Sequence, residues 1–127
     1  MSKKEATNPY KVHKGLKRVY LAFLNSTRGF YFVFREESAF RQELILVTVS
    51  GIILFFVSFT LIEKLLIIIS SILILICEIL NSAIEAAIDR ISFSNHDLSM
   101  KAKDYGSAAV LLSIVIFILC WSFPLFS

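Results

Sequence analysis

The sequence predicts an all-α membrane protein: an N-terminal amphipathic helix on the membrane surface, followed by three transmembrane helices. Three observations lead there. Of the 127 residues, 57% are hydrophobic and only 18% charged, with mean hydropathy +0.75, whereas soluble domains hold about 45–50% apolar and about 25% charged residues. Three stretches are long enough to cross a bilayer, each needing about 20 apolar residues. The charge is lopsided: nine of the thirteen Lys and Arg precede residue 44, although the net charge is only +3. Such a chain is too poor in surface charge for a soluble globule and too apolar for disorder. At this length it forms one domain.

Residues 1–13 are polar and basic and read as a flexible N-terminus, without the apolar core of a secretory signal. The remainder, 14–127, reads as a single membrane domain. From about 14 to 35, Leu16, Val19, Tyr20, Phe23, Leu24, Phe30, Tyr31 and Phe34 recur at helical spacing, with Lys14, Lys17, Arg18, Arg28 and Arg35 between them. An aromatic face opposite a basic face suits a helix in the headgroup plane, drawn to anionic lipid and not to nucleic acid. Gly29 is expected to weaken or bend it. The first span covers 44–62, bounded by Glu43 and Glu63; the second covers 65–87; the third covers 108–126. Trp121 is expected to anchor the third span at an interface. Basic residues in the N-terminal segment and the 90–106 loop place both on the cytoplasmic side and the C-terminus outside.

The second span carries the chemistry. Glu78, Asn81, Ser82, Glu85 and Asp89 fall at about 0°, −60°, +40°, −20° and +20° around the helix, at about 100° per residue. An acid at mid-span costs roughly 2.5–3.5 kcal/mol on insertion scales, so five aligned polar groups must face a protein interior or a wet cleft. Burial suits Glu78, the deepest acid, to general-base work near neutral pH. Glu85 lies about 10 Å nearer the cytoplasm, so the two cannot share one proton as a dyad. They suit opposite ends of a reaction, a membrane-embedded hydroxyl and a cytoplasmic metal, since Mg²⁺ takes one or two carboxylates plus phosphate oxygens. The plainer reading is helix packing by small polar residues, with Glu85 and Asp89 solvated and Asp89 beside Arg90. Glu37 and Arg41 read as an i,i+4 ion pair, His96 as a loop histidine, and Lys103 and Asp104 as a solvated cap.

Other classes lack their signatures. Glycines stand only at 15, 29, 51 and 106, so there is no P-loop, GxGxxG turn or GxSxG elbow. Cys77 and Cys120 sit in apolar stretches without zinc or disulfide spacing.

The runs EESAFRQE (36–43), EILNSAIEAAIDRI (78–91) and HDLSMKAKDYGSAAV (96–110) closely resemble the prokaryotic diacylglycerol kinase family of small three-span membrane kinases. The last run resembles the diacylglycerol branch more than the undecaprenol branch. The resemblance implies ATP- and Mg²⁺-dependent phosphorylation of the 1,2-diacylglycerol hydroxyl to phosphatidic acid at the cytoplasmic membrane, by homotrimers with shared active sites. It makes Glu78 the general base and has Asn81 hold the catalytic geometry. It has Glu37 and Glu85 bind Mg²⁺, with Arg18, Asn25, Ser94, Asn95, His96, Lys103 and Asp104 around the nucleotide. It sets Arg18, Phe40, Glu43 and Ser107 along the lipid or at the site's edge. Residues 25–30, Asn-Ser-Thr-Arg-Gly-Phe, depart from the Tyr-Ser-Trp-Lys-Gly-Leu run of close relatives, leaving no aromatic at Asn25.

Two rivals follow. One is the same chemistry on undecaprenol. The other is a small oligomeric proton-coupled transporter or channel using the acid stripe as its path, disfavoured because the first and third spans have almost no ionisable groups.

Overall fold

Helix α1, Leu16–Glu36, starts after Gly15, whose φ of 69° lies in the left-handed region open to glycine at no steric cost. In this computed structural model, which describes residues 14–127, three more helices follow: α2 (Ser38–Leu54), α3 (Leu61–Ile91) and α4 (Asp97–Phe126). No strand occurs among the described residues. The N-terminal segment 1–13, expected to be flexible, lies outside them.

Helix α1 passes through Gly29 without a break, and Gly29 has no neighbour within 4 Å of a built Cβ. It ends at Glu36 because Glu37 is extended (φ −105°, ψ 107°) and itself opens α2.

The charge-free stretch 44–62 is divided between two helices. Helix α2 begins six residues earlier than the expected span and stops at Leu54; residues 55–60 turn, and Leu61 and Ile62 already belong to α3. The cause is a capping box. Thr60 Oγ1 accepts from the Glu63 N–H at 3.3 Å, and Glu63 Oε2 accepts from the Thr60 N–H at 2.7 Å, which satisfies two amides that a helix start leaves orphaned. Glu63 is therefore a helix-start residue, and the connection before it is 55–60.

The short link 92–96 returns α4 alongside α3, as such links do for antiparallel neighbours. These two helices make the most extensive contact, with α2 against α3 and α1 touching α2. Both α3 and α4 are long and apolar enough to cross a membrane. Helix α2 has 17 residues, about 25 Å of helix.

The interior is narrow. Buried apolar side chains are Val33, Phe40, Leu54, Ile67, Ile74 and Phe117, while most large hydrophobics of α2, α3 and α4 face outward. In water that exposure would be ruinous; in lipid tails it costs nothing, and cohesion passes to close packing and hydrogen bonds. Four buried serines mark the close approaches: Ser50, Ser70, Ser71 and Ser113. Ser70 and Ser71 donate to the Ile67 carbonyl at 2.9 and 2.7 Å, and Ser113 to that of Val110 at 2.6 Å. Ser50 accepts from the indole N–H of Trp121 at 2.9 Å. Trp121 is thus turned toward α2, half-buried with its ring edge-on to Phe59 at 5.9 Å. Pro124 sits in the last turn of α4, which runs on to Phe126.

Candidate active site

Helix α3 positions the acid stripe. Glu78 is 5% exposed and is the one acid in the buried set. Glu37 and Glu85 lie within electrostatic reach of it, and it lies within reach of Glu43. Four carboxylates from the α1–α2 corner, α2 and α3 thus share one region. Three buried atoms there have no hydrogen-bond partner: Glu43 Oε2, Asn81 Oδ1 and Ser82 Oγ. A buried polar atom left unmatched costs about 1–3 kcal/mol.

Helix α4 closes over Asn81 through Gly106. A Cβ built at 106 would collide with Asn81 Oδ1 and lie 3.3 Å from its Cγ. A bare glycine is what lets the carboxamide lie flat against α4. No sequence pattern marks this contact, because it joins residues on different helices.

Beyond the stripe, the α3–α4 link frames a cleft of about 350 Å³ lined by Asp89, Ser92, Ser94, Asn95, His96, Asp97, Lys103 and Asp104 among others. That volume lies in the range of small-molecule sites. Ser94, Asn95, His96, Lys103 and Asp104 all line the cleft. His96 also caps α4, its Nδ1 accepting from the Leu98 N–H at 3.1 Å. Ser92 and Ser94 hydroxyls meet at 2.7 Å. Lys103 Nζ donates to Asp89 Oδ1 at 2.7 Å, each side chain 40% exposed. The expected neighbour of Asp89 is Arg90, but Arg90 is exposed and the partner is Lys103. The hydrogen bond to Asp89 is the main cause that pushes the Lys103 ammonium above the usual lysine range.

The other expected residues are more scattered. Glu37 lines a second groove of about 240 Å³ between α1 and α3, with Gly29, Val33, Ser82, Ala83 and Ala86. Arg41 does not pair with Glu37; its Nη1 donates to the carbonyls of Phe34 and Arg35 at 2.8 and 3.0 Å. Asn25 Oδ1 accepts from Arg28 Nη2 at 2.7 Å and lines neither groove. Arg18 and Ser107 are exposed, and Phe40, expected along the lipid or at the site's edge, is 4% exposed and part of the core.

Among the described residues no group of three or more His, Cys, Asp or Glu side chains converges to hold a metal alone. The donor chemistry is hard carboxylate oxygen, and Glu37 and Glu85 belong to no ion pair among the described residues. That set fits a Mg²⁺ ion arriving with phosphate oxygens and retained waters, which needs only one or two protein carboxylates.

A helical membrane chain with a buried acid on α3 beside a polar, ligand-sized cleft that holds Lys103 and three aspartates is suited to chemistry at a membrane boundary. Sequence comparison makes the class specific. The prokaryotic diacylglycerol kinase family matches residues 24–125. A diacylglycerol kinase of Pseudomonas aeruginosa is 42% identical over 115 residues, covering 91% of this chain and 94% of that protein. One from Escherichia coli K12 is 42% identical over 113 residues, covering 89% and 93%. One from Haemophilus influenzae is 38% identical over 112 residues, covering 88% and 95%. The chain belongs to the prokaryotic diacylglycerol kinase family. Membership makes it an enzyme, a membrane kinase with a nucleotide co-substrate.

Proposed function

We propose that this chain transfers the γ-phosphoryl group of ATP to the hydroxyl of 1,2-diacylglycerol, giving phosphatidic acid and ADP. The observation that carries this reading is the match to diacylglycerol kinases along nine-tenths of the chain, acid stripe and cleft included. The fold supports it with a buried acid on α3, below a cleft that holds the basic Lys103.

In the reaction the lipid hydroxyl oxygen bonds to the γ-phosphorus, the bond from that phosphorus to the β–γ bridging oxygen breaks, and ADP departs. Glu78 takes the hydroxyl proton. Asn81, held by Gly106, orients the reacting groups, and Lys103 draws the phosphates into the cleft. Asn95, Ser94, His96 and Asp104 line the nucleotide's path, with Asn25 and Arg18 on the surface helix. Glu37 and Glu85 would hold Mg²⁺, which would supply charge neutralisation at the phosphates. Phe40, Glu43 and Ser107 border the lipid's approach.

The reading includes three spans, with α2 as the shortest, the N-terminus and the α3–α4 link in the cytoplasm, and the C-terminus outside. It also includes a homotrimer. The three buried polar atoms without partners and the outward apolar faces are what a second copy or substrate would complete.

Transfer of radiolabelled γ-phosphate from ATP to diacylglycerol in mixed micelles, beside undecaprenol, tests it. Label in phosphatidic acid with little in undecaprenyl phosphate is expected. The reverse preference would move the chain to the other branch, and no label in either would sink the proposal.

A further inference from the structure

The break between α1 and α2 is held by a side chain that the proposed chemistry does not use. A helix leaves its last carbonyls without partners. At the end of α1 they are answered in turn: the Val33 carbonyl by the Glu37 N–H at 3.0 Å, those of Phe34 and Arg35 by Arg41 Nη1 at 2.8 and 3.0 Å. Arg41 stands one turn into α2, so its guanidinium reaches back across the corner and ties two helices together. A cation at a helix C-terminus also meets the negative end of the macrodipole.

Glu37 is the one non-helical residue between α1 and α2. Glu37 lines one groove together with Ser82, Ala83 and Ala86 of α3, the turn that carries Glu85. An acid and an arginine four apart would ordinarily neutralise one another. Here the arginine is committed to carbonyls, and the Glu37 carboxylate is left available while its backbone is fixed.

We infer that Arg41 is a positioning residue for Glu37, clamping the α1–α2 corner so that this carboxylate is presented toward α3 for metal. The inference rests on the reading of Glu37 as a Mg²⁺ ligand. Losing the support of a metal ligand typically weakens the metal about tenfold or more.

The test measures metal without turnover. The full chain in lipid–detergent micelles is titrated with Mn²⁺ and a non-hydrolysable ATP analogue, and bound Mn²⁺ is read by electron paramagnetic resonance. Arg41→Ala is expected to weaken Mn²⁺ binding roughly tenfold, with Arg41→Lys, which keeps the charge and one donor, falling between. Glu37→Gln should weaken it as well, and Arg41→Ala should add nothing further in that background. In turnover assays the Mg²⁺ needed for half-maximal rate should rise in parallel, with the KM for diacylglycerol unchanged. If Arg41→Ala fails to insert, the lysine variant carries the comparison. Wild-type Mn²⁺ binding in the Arg41 variants alongside weakened binding in Glu37→Gln overturns the clamp alone. Unchanged binding in Glu37→Gln overturns the metal role of Glu37, and the clamp with it.

Discussion

Gly106→Ala isolates the contact between α4 and the proposed catalytic amide. The added methyl would collide with Asn81 Oδ1 and sit 3.3 Å from Asn81 Cγ and 3.5 Å from Ile84 Cδ1. Overpacking of this kind costs about 1–3 kcal/mol. Replacing glycine by alanine inside a helix returns about 1 kcal/mol. Net stability should therefore fall by only about 0–2 kcal/mol, because the obstacle is a side-chain amide that can swing aside. Activity has no such relief. Displacing a positioned group by about 1 Å costs on the order of 100-fold in rate, about 2.7 kcal/mol of barrier. The expected signature is a large loss of kcat with a modest shift in the unfolding midpoint, read by phosphoryl transfer in mixed micelles and by denaturant titration of the same preparation. Gly51→Ala, with nothing within 4 Å of its Cβ, serves as the control and should keep full turnover. Wild-type kcat in Gly106→Ala would refute the claim that the Asn81 carboxamide works from this position.

Other expectations concern the base, the far end of the bundle, the loop and the ion pair. Glu78→Gln should abolish turnover while leaving ATP binding nearly intact by isothermal titration; wild-type-like turnover would remove Glu78 as the base. Trp121→Phe leaves the buried Ser50 hydroxyl without its donor and should cost about 1–3 kcal/mol, whereas the Trp121→Phe/Ser50→Ala pair should recover most of it; equal losses would deny the bond. Thr60→Ala should lose about 0.5–2 kcal/mol of stability through the capping box, with fraying of the first turn of α3 visible by hydrogen exchange. Because the folded-state value of Lys103 is raised, the ion pair with Asp89 contributes fully below the ordinary lysine value and is lost only as pH climbs through the raised one. Nucleotide affinity should thus show no Lys103-dependent change between about pH 6 and 9; a lysine-dependent fall within that window would contradict the pairing.

The acid stripe is legible in the sequence because the bilayer makes ionisable groups expensive, so their alignment on one helical face carries information. The boundary between α2 and α3 is hidden for a related reason. An unbroken apolar run from 44 to 62 satisfies any hydropathy measure, and the Thr60–Glu63 cap that ends the matter is a local hydrogen-bond event inside it. His96, Lys103 and Asp104 are recognisable by motif alone, since a polar loop is commonplace; their convergence on one cleft is a product of the α3–α4 turn. Helical spacing pairs Arg41 with Glu37 because it counts residues within one continuous helix, and the chain breaks at Glu37. Gly106 and Trp121 act on residues of other helices, Asn81 and Ser50, and no periodicity within a single segment encodes that.

Helix α3, with 31 residues, is about 46 Å long, against roughly 30 Å of hydrocarbon. In the proposed topology, counting about twenty residues from the Thr60 end brings the oily layer to its edge near Glu78 and Asn81. In that topology, with Glu78 as the base, a fixed count of turns would match the depth at which a diglyceride's free oxygen sits beneath the water line. Helix α3 would then work as a depth gauge, and bilayers of markedly different acyl length should detune the reaction even with every side chain intact.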